Sequence, residues 1–89
     1  MANINTSVQT IEMGIAIAIK YRDRLQANIE KVKRDYQSAG SNGWNDKQYQ
    51  NLGQVVNECA SSMEKSKAAV EKTIASLKKL KIAAQNYEG

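Results

Sequence analysis

Gly40-Ser41-Asn42-Gly43-Trp44-Asn45-Asp46 is a breaker cluster that carries the chain's only tryptophan and lies between two long stretches of helical heptad pattern. Gly40 and Gly43 tolerate the positive φ that stops one helix and turns the chain, and Asn42 tolerates it as well. After the turn, Asn45 stands where an N-cap belongs, with Gln48 three residues on. Trp44 and Tyr49 then occupy the two positions of a hydrophobic staple. The expectation is an all-α, antiparallel two-helix hairpin in a single domain, 1–89. Helix one covers about 7–38, a turn 39–44, and helix two about 45–87.

Outward from the turn, two seams appear. Alternate steps of three and four from Val8 give Val8, Ile11, Ile15, Ala18, Arg22, Leu25, Ile29, Val32 and Tyr36. The same stepping from Tyr49 gives Tyr49, Leu52, Val56, Cys59, Met63, Ser66, Val70, Thr73, Leu77, Leu80, Ala84 and Tyr87. Ser7 is the expected cap of helix one, with Asn5 and Thr6 as alternatives. Folding at the turn sets residues whose numbers sum to about 83 side by side. Ile11 and Ile15 are thus expected near Val70 to Leu77, and Leu25, Ile29 and Val32 near Leu52, Val56 and Cys59. Arg22 falls beside Ser61, Ser62 and Ser66 as a polar layer. Two readings of Arg22 stand: it snorkels from the seam edge to water, or it pairs with a partner's carboxylate and sets register. Met13 and Ile17 fall off the seam, at about 100° per residue, and form either scattered exposed apolar residues or a second contact surface.

Composition bounds the function. The chain has 89 residues with no proline, phenylalanine or histidine, which suits one small helical domain. A two-helix hairpin of this size buries less than the roughly 60% of unfolded surface that small globular domains reach. One cysteine cannot staple it, so self-association or a partner helix pair is the expected source of further stability. The 13 Lys+Arg against 9 Asp+Glu, a formal +4, is ordinary for a soluble protein. The N-terminal residues lack the basic segment of a secretory signal, and the apolar run from Ile11 to Ile19 contains Glu12 and is too short to span a bilayer. The chain is therefore expected to be made in the cytoplasm without a cleaved signal, and to have no membrane span.

No histidine means no imidazole base or metal ligand, and Cys59, placed on the seam between Val56 and Met63, is expected to be buried and inert. No catalytic residue, cofactor, metal or small-molecule substrate is expected. Nucleic-acid binding is the rival of another class, resting on Lys31, Lys33 and Arg34 and on Lys78, Lys79 and Lys81. Antiparallel folding separates these clusters, acidic Glu30 and Asp35 dilute the first, and no aromatic side chain interleaves either for base stacking.

Two antiparallel helices in a chain of this length, with tryptophan opening helix two in Gly43-Trp44-Asn45-Asp46-Lys47-Gln48-Tyr49, resemble the WXG-motif proteins of type VII secretion. Two features depart from that family. Asp46 stands where its Trp-x-Gly has glycine, and Tyr87 is followed only by Glu88 and Gly89, so the family's tail signal is missing. The small helical partners encoded beside LXG-type toxins are a close variant that accommodates both departures. The resemblance implies a homodimer or heterodimer closing into a four-helix bundle. The chain would be a non-enzymatic partner, adaptor or targeting chaperone that binds the helical N-terminal region of an LXG-type toxin, exported by a type VII route as part of that complex. The alternative is a self-dimerising secreted WXG-like protein. On either reading Gly43, Trp44, Asn45, Asp46 and Tyr49 form the turn and docking region, and Ile11, Ile15, Arg22, Leu25, Ile29, Val32, Leu52, Val56, Met63, Val70, Leu77 and Leu80 the interaction seam.

Overall fold

The computed structural model describes residues 7–88. Helix α1 spans Val8–Ser41 and α2 spans Lys47–Glu88, of 34 and 42 residues, and the chain is an all-α antiparallel hairpin. Ser7 caps α1: its Oγ accepts the Thr10 N–H at 3.1 Å and its carbonyl accepts the Ile11 N–H at 3.1 Å. Asn5 and Thr6, the alternative caps, lie outside the described residues. Among the described residues no helix is long and apolar enough to cross a membrane.

The hairpin divides into two compact units, each with one segment of either helix. The turn unit is Asp23–Lys67, and the terminal unit comprises residues 7–22 with 68–88. In the turn unit the buried apolar side chains described are Ile29, Val56 and Ala60, Ile29 fully so; in the terminal unit they are Ile11 and Ile74.

The expected α1 seam is buried or half-buried at every position from Val8 to Tyr36, Arg22 included. The α2 seam differs. Tyr49, Val56, Met63, Val70, Leu77 and Ala84 face inward as expected, but the positions between them are Gly53, Ala60, Lys67, Ile74 and Lys81. Leu52, Cys59, Ser66, Thr73, Leu80 and Tyr87 are exposed instead. Both seams keep heptad spacing, but the true one steps by four where the expected one stepped by three. The apolar character of the true seam is masked by two lysines whose stems lie along the seam while their amines reach polar partners. Lys67 Nζ lies 2.7 Å from Gln26 Oε1, and Lys81 Nζ lies 2.9 Å from Glu12 Oε2.

These pairs also correct the register. Glu12 meets Lys81, Gln26 meets Lys67, and a Cβ on Gly14 would lie 3.8 Å from Leu77 Cδ1. The offset from the expected pairing arises because α1 continues through Gly40 and Ser41 and α2 begins only at Lys47, which moves the turn's centre toward Trp44. Within the turn unit one side chain sets a polar layer in the seam. It is Gln26, whose amide accepts from Lys67 and donates to Glu30 Oε2 at 2.8 Å.

Candidate docking surfaces

The turn closes α1 in a Schellman motif. Trp44 N–H donates to the Ala39 carbonyl at 3.3 Å and Gly43 N–H to the Gly40 carbonyl at 3.0 Å, with Gly43 at φ 96°. Gly43 alone supplies the positive φ; Gly40 lies within α1, and Asn42 keeps a negative φ. The N-cap of α2 is Asp46 rather than Asn45. Asp46 Oδ1 accepts the Tyr49 N–H at 3.0 Å, and its carbonyl accepts the Gln50 N–H at 3.2 Å. An aspartate satisfies the open N–H groups of a helix start as an anion, which also suits the helix dipole. Gln48 is therefore the second helical residue and not a capping-box partner.

Asp46 Oδ1 also accepts the Trp44 indole N–H at 2.8 Å. Trp44 thus closes one helix with its backbone and holds the cap of the next with its ring. The indole leans on Tyr49, with centroids 5.4 Å apart and planes at 56°; with Asp46 as the cap the pair sits one position off the expected hydrophobic staple, although the contact itself forms. At 41% exposure, and with its N–H already bonded within the chain, the indole offers solvent mainly apolar surface.

Beneath it lies a reciprocal clasp that was not anticipated. Tyr36 and Tyr49 stack with centroids 4.2 Å apart and planes within 5°. Each hydroxyl donates to the other residue's carbonyl at 3.0 Å. Each ring also lies over a glycine of the opposite helix: a Cβ on Gly40 would sit 2.9 Å from Tyr49 Cζ, and one on Gly53 2.8 Å from Tyr36 Cζ. The signal was present in the sequence as a repeat, Tyr36-Gln37-Ser38-Ala39-Gly40 and Tyr49-Gln50-Asn51-Leu52-Gly53. Tyrosine and the glycine four residues on share one helix face, so each helix presents a ring and a socket for the other's ring. Packing out of water, and then the hydrogen bonding and proximity of Tyr49, raise the Tyr36 phenol above its ordinary pKa.

A second surface lies in the terminal unit. Met13, Ile17 and Tyr21 repeat at four-residue spacing on α1 and are 60%, 56% and 56% exposed. Ile17 and Tyr21 form one wall of a shallow groove of about 330 Å³ whose other wall is Ala69, Thr73 and Leu77. Leu80, one turn beyond Leu77, is 49% exposed. The opposite edge of the same unit, with Glu12, Ile15, Lys78, Lys81 and Ile82, is crossed by the Glu12–Lys81 ion pair.

Cys59 is exposed, lining a shallow depression of the turn unit with Val32, Met63 and the rim pair Lys31–Asp35. Its seam placement is thereby corrected, since Ala60 takes the buried position. Among the described residues no three histidine, cysteine, aspartate or glutamate side chains gather as a metal site. No family model, curated protein or solved structure matches this chain.

Proposed function

We propose that this chain is a non-enzymatic helical partner, adaptor or targeting chaperone in a bacterial type VII secretion system. Its hairpin forms half of a four-helix bundle completed by the helical N-terminal region of an LXG-type toxin. The observation that carries this reading is the sparse core of each unit beside apolar side chains left in water. Among the described residues of the terminal unit only Ile11 and Ile74 are buried apolar side chains, while Met13, Ile17, Tyr21 and Leu80 are exposed. Contiguous apolar surface of this kind marks an interaction site. The resemblance at the turn supplies the secretion context, and Asp46 makes the missing motif glycine intelligible, because it caps α2 and fixes the indole.

The test is the solution mass of the purified chain by light scattering across a concentration series, with helicity followed on the same samples, alone and co-purified with an LXG-type helical segment encoded beside it. The proposal expects a marginally stable monomeric hairpin alone and a stable complex of one copy of each chain together. A stable helical homodimer that ignores the segment overturns it in favour of the self-dimerising WXG-like alternative.

A further inference from the structure

We infer that the groove of the terminal unit receives an acidic-edged amphipathic helix of another protein, and not a second copy of this chain. The inference rests on the partner reading above and names the chemistry of the partner. The groove walls, Ile17 and Tyr21 against Ala69, Thr73 and Leu77, carry no charge, so the occupant must present an apolar stripe.

The rims carry one sign. Lys20 follows Ile17 by three residues, and at about 100° per residue it lies on the outer side of that wall, away from the seam. Lys72 follows Ala69 by three and stands on the outer side of the other wall, and Lys79 repeats it one heptad later. All three lysines are exposed. The acidic side chains described in this unit point elsewhere. Glu12 is held by Lys81 at the opposite edge, and Glu71, two residues before Thr73, lies about 160° around α2 from it.

A second copy laid into this groove by the same face would form a self-complementary interface, bringing lysine rims against lysine rims with no carboxylate between them. A helix with glutamate or aspartate beside its apolar stripe meets both walls and both rims. The opposite edge lacks this character, because Glu12 stands on it, paired with Lys81 and near Lys78, so that rim carries both signs.

The probes are two synthetic helical peptides of about four heptads, long enough to hold helical structure. They share the same leucine stripe and differ only in flanking glutamates or lysines. Binding to the full chain is read by fluorescence anisotropy at low salt. The glutamate peptide should bind at least about ten-fold tighter, the ratio shrinking as salt rises. Ile17→Asp should abolish binding of both peptides, and Lys20→Glu with Lys72→Glu should invert the preference; all three positions are exposed, so the hairpin should keep its helicity. Equal affinity for both peptides overturns the inference, as does a homodimer that Ile17→Asp converts to monomer. If the charge preference is absent but a helical partner still forms a complex insensitive to Ile17→Asp, the groove assignment falls and the partner reading stands. If no helix binds at any surface, both fall.

Discussion

Gly40→Ala and Gly14→Ala make the same chemical change in the same helix and should move stability in opposite directions. Alanine is favoured over glycine in a helix interior by about 1 kcal/mol. At Gly14 the new Cβ meets only Leu77 Cδ1, at 3.8 Å, an ordinary contact, so most of that gain should appear, roughly 0.5–1 kcal/mol. At Gly40 the Cβ would lie 2.9 Å from Tyr49 Cζ and closer still to its hydroxyl. Tyr49 is tied by its hydrogen bond to the Tyr36 carbonyl and by the stack, so it has little room to retreat. Overpacking of this kind costs about 1–3 kcal/mol, which outweighs the propensity gain and leaves a net loss of about 1 kcal/mol. The two variants should then differ by about 2 kcal/mol, or about ten degrees in midpoint for a chain of this size. Thermal and urea melts followed by circular dichroism, at one fixed protein concentration, measure it. A cycle isolates the cause: in a Tyr49→Ala background Gly40→Ala should become stabilising. Gly40→Ala at least as stable as the parent, or a loss that persists without the Tyr49 ring, would refute the socket role of Gly40.

Ile74→Ala, at a buried position, should cost about 2–4 kcal/mol, whereas Thr73→Ala should fall within about 0.5 kcal/mol, and urea melts of the two decide which phase of α2 is the seam. Asp46→Ala removes the cap of α2 and the acceptor of the indole N–H; about 1 kcal/mol of stability should be lost, with a shifted Trp44 emission spectrum in the folded state. The Tyr36 phenol titrates above its ordinary value, so the unfolded chain gives up that proton first, and the associated stability is whole below about pH 10 and lost as pH rises through the folded value. Urea melts from neutral to alkaline pH should therefore show the advantage of the parent over Tyr36→Phe shrinking above about pH 10; an advantage that grows there would contradict the assignment.

The first helix was legible because its seam is written in apolar residues at every step but Arg22, whereas the off-seam series Met13, Ile17 and Tyr21 covers only three positions. The second was only half legible. Tyr49, Val56, Met63, Val70, Leu77 and Ala84 belong to both possible phases, and hydropathy then favours Leu52, Ser66 and Leu80 over Gly53, Lys67 and Lys81, with Ile74 over Thr73 pulling the other way. What decides against it lies across the hairpin: the ring of Tyr36 over Gly53, and the amines of Lys67 and Lys81 on Gln26 and Glu12. Those are relations between two helices, and a periodicity count on one helix does not contain them. At the turn, Trp44 and Gly43 were readable from residue type, but Asn45 and Asp46 are equally good caps by type, and what separates them is that Asp46 Oδ1 takes both the Tyr49 N–H and the indole N–H.

The misplaced positions are informative in their own right. Within the terminal unit Thr73 and Leu80 keep heptad spacing and carry no charge, yet neither is buried by the hairpin, and they stand on the same side as Ile17 and Tyr21. A solvated face of a lysine-rich helix has no physical need for such a stripe, since charged residues there would add solubility at little cost. A second seam does need it. The feature that made α2 ambiguous as half of a hairpin is thus the pattern that the proposed partner would require of it, a helix with a second neighbour beyond the one within the chain. Substituting Thr73 and Leu80 together by lysine should accordingly leave the hairpin's melting unchanged while weakening capture of the partner helix. A fall in the isolated chain's stability comparable to that of Ile74→Ala would instead return both residues to the internal core.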